Sequence, residues 1–144
     1  MTKRAERPAV EKLATGLPSF DLIAEGGVPR GRTTLISGTA GSGKTVFAVQ
    51  FLAAGIAMGE PGVFVTFEES PRDIRQNMRN FGWDIEGWER AGVFAFVDAS
   101  PDPEMETVES GSFDLGALLA RVENAVRKVA AQRVSVDSLG AMFS

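Results

Sequence analysis

Chemistry in this chain must come from Lys, Arg, hydroxyls and carboxylates, because the sequence has no Cys and no His. Disulfides, thiolate zinc sites, imidazole bases and Ser-His-Asp catalysis are therefore excluded. The strongest constellation is Gly38-Thr39-Ala40-Gly41-Ser42-Gly43-Lys44-Thr45, which fits G-x-x-x-x-G-K-[ST]. Its glycines let successive backbone N–H groups turn inward around a β-phosphate, where a following helix adds its partial positive charge. Lys44 is then expected to bridge the β- and γ-phosphates, and the Thr45 hydroxyl to ligate a magnesium ion. The ligand this chemistry implies is ATP with Mg2+. A dinucleotide-type G-x-G-x-x-G reading is weaker, since it leaves Lys44-Thr45 without a role.

Such a site needs a carboxylate at the end of another strand to hold the metal, and Val134-Ser135-Val136-Asp137 supplies Asp137. Glu68 and Glu69 stand between a strand and a helix start. They are either acids favoured by that helix N-terminus or groups that activate the attacking water opposite Lys44. Asp98 also ends a strand, but the Pro-rich segment after it favours a structural role. Phe81, Trp83 and Trp88 suit core packing better than a base-stacking platform.

The elements that position these residues follow from periodicity. Thr33 to Ser37, Val63 to Phe67, Val93 to Val97 and Val134 to Asp137 read as short strands, the first of them buried and leading into the Gly-rich loop. Residues 45 to 58 are apolar almost all round, as in a helix packed inside layers. Ser70-Pro71-Arg72-Asp73 has the form of a capped helix start, with Ile74, Met78 and Phe81 on one face and Gly82 as the stop. From Leu115, the positions Leu118, Leu119, Val122, Val126 and Val129 recur at helical spacing. Strands alternating with helices predict an α/β fold with a mostly parallel sheet covered on both faces. Ligands then bind beyond the carboxyl ends of the strands, where Gly38, Glu68, Glu69, Asp98 and Asp137 fall.

At 144 residues the chain suits one domain, read as a flexible arm over 1–9 and a partial domain over 10–144. Its end directly after a strand predicts a fragment of a longer protein. No apolar run approaches the ~20 residues that span a bilayer, and the basic N-terminus has no apolar stretch after it, which predicts a cytoplasmic chain. A formal charge of -4 gives no general attraction to nucleic acid.

Together with the Gly-rich loop, Phe67-Glu68-Glu69-Ser70-Pro71 and Val134 to Ser138 resemble the RecA-like ATPase superfamily. More narrowly, the chain is similar to the KaiC family of circadian clock ATPases and autokinases. The lead-in Thr15 to Asp21 through Gly26 to Arg32 carries that likeness. Glu60 to Pro71, Phe81-Gly82-Trp83-Asp84, Asp98 to Pro103 and Arg133 to Ser138 carry it further. The resemblance implies a C-terminally truncated RecA-like domain, the first of two in a slow ATPase and serine/threonine autokinase. Hexameric rings with ATP between subunits, and KaiA-like and KaiB-like clock partners, are implied too. It puts phosphate contacts on Gly41 to Val46, magnesium on Thr45 and Asp137, and catalysis on Lys44, Glu68 and Glu69. A contact near the base falls on Asn80, where better-known members have Ser. A basic finger toward the neighbouring subunit's ATP and the phosphoacceptor residues would lie beyond Ser144, so the chain alone is expected to hydrolyse ATP barely. Two rival readings are a DNA-dependent RecA- or DnaB-like ATPase and a nucleotide-binding oligomerisation module. The first would need a basic channel loop, which is not visible in the sequence.

Overall fold

Gly62–Thr66 is the strand that both faces of the molecule cover, and all five of its residues are buried. It forms the centre of a three-stranded parallel sheet in a computed structural model that describes residues 10–36, 43–100 and 115–137. In chain order the elements are β1 (Lys12–Leu13), α1 (Pro18–Ile23), β2 (Val28–Pro29), α2 (Lys44–Ala57) and β3 (Gly62–Thr66). They continue with α3 (Pro71–Met78), a 3-10 turn (Arg79–Phe81), α4 (Ile85–Arg90), β4 (Phe94–Asp98), α5 (Leu115–Val129) and β5 (Arg133–Asp137). The sheet order is β4-β3-β5, and β1 pairs with β2 in a separate antiparallel ribbon. Thr66 is level with both Asp98 and Asp137, so the three strands end together.

Alternation along β3 divides the core. Phe64 points to one face, where Val49 and Leu52 of α2, Ile74 and Met78 of α3, Ile85 and Phe94 gather around it. Val63, Val65 and Phe67 point to the other, against Leu118, Ala125 and Val129 of α5. Each of the larger apolar side chains here, Val, Leu, Ile, Phe or Met, contributes about 1.5–3 kcal/mol when fully buried relative to exposure. Helix α3 starts as its sequence predicts: Ser70 Oγ accepts from the Asp73 N–H at 3.2 Å, Pro71 follows, and Gly82 beyond the 3-10 turn takes φ +78°.

Three expectations differ from what is observed. Of the strand expected over Thr33 to Ser37, residues 33–36 form no strand and are exposed, Leu35 at 70%, while Ser37 lies outside the described residues. A strand needs a neighbour to satisfy its backbone, and a cleft of about 740 Å³ separates this segment from β5. Leu119 is exposed because the buried stripe of α5 runs through 118, 125 and 129, with Val122 and Val126 beside it. Phe81 is also exposed, because the chain tightens into the 3-10 turn after Met78 and carries it off the buried stripe. Its ring stacks on Trp83 at 5.4 Å, while Trp83 and Trp88 pack against the core.

One polar network braces the lead-in internally, and a second ties it to this core. Buried Thr15 donates its N–H and hydroxyl to Asp21, which also accepts from the Gly16 N–H. At the base of β5, Arg133 is buried and donates to Ala14 O at 2.6 Å, Phe51 O at 2.9 Å and Glu60 Oε1 at 2.9 Å. The Arg30 guanidinium hydrogen-bonded to Glu60, with Arg133 on its other oxygen, holds that carboxyl below its ordinary range despite desolvation.

Gly55 makes room for Arg133: a Cβ there would stand 2.5 Å from Arg133 Cδ and 3.0 Å from Glu60 O. Gly to Ala inside a helix ordinarily gains up to about 1 kcal/mol. Here the guanidinium cannot withdraw without losing its partners, so Gly55→Ala is expected to destabilise the protein by about 2–4 kcal/mol. Urea denaturation checks this, and unchanged or raised stability would show that Arg133 yields easily.

Candidate functional site

Helix α2 opens on Gly43 at φ +85°, a left-handed conformation that glycine adopts without strain. Among the described residues no side chain caps this N-terminus, and the turn holds no acid of its own, so its N–H groups and partial positive charge are available to an anion. Lys44 and Thr45 stand in that turn. Val46, the third residue, sends its side chain toward the core, which leaves only its backbone for a ligand. The expected contacts Gly38, Thr39, Ala40, Gly41 and Ser42 lie outside the described residues.

The Thr45 hydroxyl donates to Asp137 Oδ2 at 2.5 Å, although the two residues are 92 positions apart. So short an O–H···O contact is of the charge-assisted kind. It brings together the hydroxyl and the carboxylate that the sequence pairs, both hard oxygen donors of the type magnesium takes. Among the described residues no three His, Cys, Asp or Glu side chains converge as a metal cage. A magnesium site completed by phosphate oxygens and water has no need of one.

The ends of β3 and β4 complete the rim. Phe67 donates its N–H to Asp137 O at 2.9 Å, so Glu68 follows directly from a residue bonded to the Asp137 backbone. Thr66 Oγ1 donates to Glu69 O at 2.6 Å and fixes the turn that carries both acids. The Glu68 and Glu69 side chains are exposed and form no ion pair among the described residues. Asp98 has a local use: its Oδ1 accepts from the N–H and hydroxyl of Ser100, closing a turn. Asn80 lies exposed in the 3-10 turn past the far end of α3, and no hydrogen bond among the described residues joins it to Lys44, Thr45 or Asp137. The structure thus brings Lys44, Thr45, Asp137 and the Glu68-Glu69 turn to one edge of the sheet.

Ser135 and Arg133, which bond to α2 along the same strand, were not singled out by spacing. Polar residues at 133, 135 and 137 of an otherwise apolar strand were the available signal.

A parallel sheet whose strands end together at a helix start that opens on glycine, beside a Lys-Thr and Asp set, is the layout of a RecA-like P-loop ATPase. Residues 13–144 match the family model "ATPase: KaiC", and the chain belongs to that KaiC ATPase family. It is 61% identical over 139 residues to circadian clock protein KaiC3 of Synechocystis sp., covering 96% of this chain and 28% of that protein. To the circadian clock oscillator protein KaiC of Thermostichus vulcanus it is 53% identical, over 93% of this chain and 26% of the relative. The KaiC of Synechococcus elongatus is 51% identical, over 96% and 27%. The chain therefore spans about a quarter of the length of these curated relatives. No helix among the described residues is long and apolar enough to cross a membrane.

Proposed function

We propose that this chain binds ATP with magnesium at Gly38 to Val46 and Asp137, and that in its full-length protein it hydrolyses the nucleotide slowly. The observation that carries the reading is the 2.5 Å contact between Thr45 Oγ1 and Asp137 Oδ2 beside Lys44. Backbone N–H groups of the loop and of the open α2 start orient the phosphates, and Lys44 neutralises the β- and γ-oxygens. Thr45 and Asp137 would hold magnesium, which when bound offsets the charge that builds up on the transferring phosphoryl group. Glu68, with Glu69 beside it, takes the proton of the attacking water.

In the full-length protein this domain works within a hexameric ring that phosphorylates itself and meets KaiA-like and KaiB-like partners in the cytoplasm, as the family's clock role suggests. A basic group from the neighbouring subunit completes catalysis there, so the isolated chain turns over ATP barely.

Thr45→Ala tests the metal assignment. Nucleotide binding in EDTA is expected to stay near that of the parent, while the magnesium concentration needed to tighten it rises about tenfold. An unchanged magnesium titration would remove Thr45 from the site.

A further inference from the structure

Strand β5 buries its polar residues and exposes its apolar ones. Arg133 and Ser135 are 2% and 8% exposed, whereas Val134 and Val136 are both 42% exposed. The buried set alternates, so it shares one face of the strand with Asp137. Each member finds a partner on α2: Arg133 donates to Phe51 O at 2.9 Å, Ser135 Oγ donates to Ala48 O at 2.9 Å, and Asp137 accepts from Thr45. Positions 51, 48 and 45 are three apart and make one stripe along the helix. Two-residue steps on the strand thus meet three-residue steps on the helix, in a polar zipper of three rungs.

We propose that Ser135, with Arg133 below it, is a positioning residue that sets how far β5 slides along α2 and so holds Asp137 against Thr45. The proposal rests on the reading of Thr45 and Asp137 as the magnesium-holding pair. Only one ladder constrains β5 within the described sheet, the one it makes with β3. Apolar packing against α2 would bury the same surface but tolerate sliding, whereas a hydroxyl and a guanidinium bonded to fixed carbonyls do not. The top rung inherits that position, and a displacement near 1 Å is enough to spoil a coordinating geometry.

The test uses the full-length protein and magnesium itself, titrated against a fluorescent, slowly hydrolysed ATP analogue, with affinity in EDTA and melting temperature measured alongside. Ser135→Ala is expected to raise the magnesium concentration for half-maximal tightening about 3- to 10-fold, the range of one lost hydrogen bond, while affinity in EDTA moves less than about twofold. Ser135→Thr, which keeps the hydroxyl, should restore most of the loss, and Val134→Ala on the outward face should change nothing. Asp137→Asn separates the two claims. If it weakens the magnesium response and Ser135→Ala does not, Ser135 is only a structural residue; if Asp137→Asn has no effect, the metal assignment itself fails. A lowered melting temperature in Ser135→Ala with an unchanged magnesium titration would also overturn the positioning role.

Discussion

Replacing Glu68 and Glu69 together by glutamine in the full-length protein is expected to cut ATP turnover by about 10² to 10⁴, the range typical of lost general-base catalysis. Glutamine keeps the size and hydrogen-bonding reach of the side chain and removes the charge that draws a proton from water. Ground-state affinity for ATP should change less than about threefold, because in the proposed role these carboxylates would act on the water and not on the phosphates. The geometry favours a chemical role. Helix α3 already has Ser70 as its cap and Asp73 in its first turn, so it has little need of two further acids outside it. Both carboxylates are exposed without ion pairs among the described residues, and the bond from Thr66 to Glu69 O fixes their turn. The competing account, that they only favour the helix start, predicts a stability loss of about 0.3–1 kcal/mol per charge and normal turnover. Hydrolysis rate, ATP affinity and melting temperature measured on one Gln-Gln variant distinguish the two. Of the single variants, Glu68→Gln should show the larger loss, since Glu68 follows directly from the residue bonded to the Asp137 backbone.

The legible parts of this molecule are those in which one local rule acts alone. Helix α3 follows from a Ser cap, a Pro and a late Gly, and β3, β4 and β5 follow from short β-branched or aromatic runs between turn signals. Thr45 and Asp137 could be paired from the sequence because phosphate chemistry requires both, although nothing local links positions 92 apart. Elements built by tertiary partners were not legible. The β1–β2 ribbon has two residues a side, and α1 and α4 have six each, too short for periodicity to register.

Segment 33–36 shows the opposite failure. Its residues have the composition of a strand, but pairing needs a neighbour, and among the described residues it faces a cleft. Strand β5 misleads in a third way: apolar Val134 and Val136 suggest the buried face, and the carbonyls of α2 reverse the choice by bonding Arg133 and Ser135. Asn80 rests on family likeness alone, since no local rule of sequence ties a 3-10 turn residue to a nucleotide base.

The second large effect is expected at Lys44, and it bears on whether ATP binds here at all. Lys44 stands in the first turn of α2, beside Thr45 and its contact to Asp137, in a turn that holds no acid of its own. In the proposed site its ammonium would be the main full positive charge facing the β- and γ-phosphates. At an effective dielectric near 20, one such charge at 4 Å is worth about 4 kcal/mol before desolvation, and about 3 kcal/mol, the upper end of what a hydrogen bond to a charged group nets, remains after it. Lys44→Ala should therefore weaken ATP about 100-fold or more, since each 1.4 kcal/mol is tenfold. The helix itself should persist, because alanine is the best helix former. Equilibrium titration of the full-length protein and its Lys44→Ala variant with a fluorescent ATP analogue in magnesium buffer is the direct measurement. Tight, saturable binding that disappears in the variant while its circular dichroism stays unchanged is the predicted result; equal affinity in the two proteins would contradict the assignment of this site to ATP.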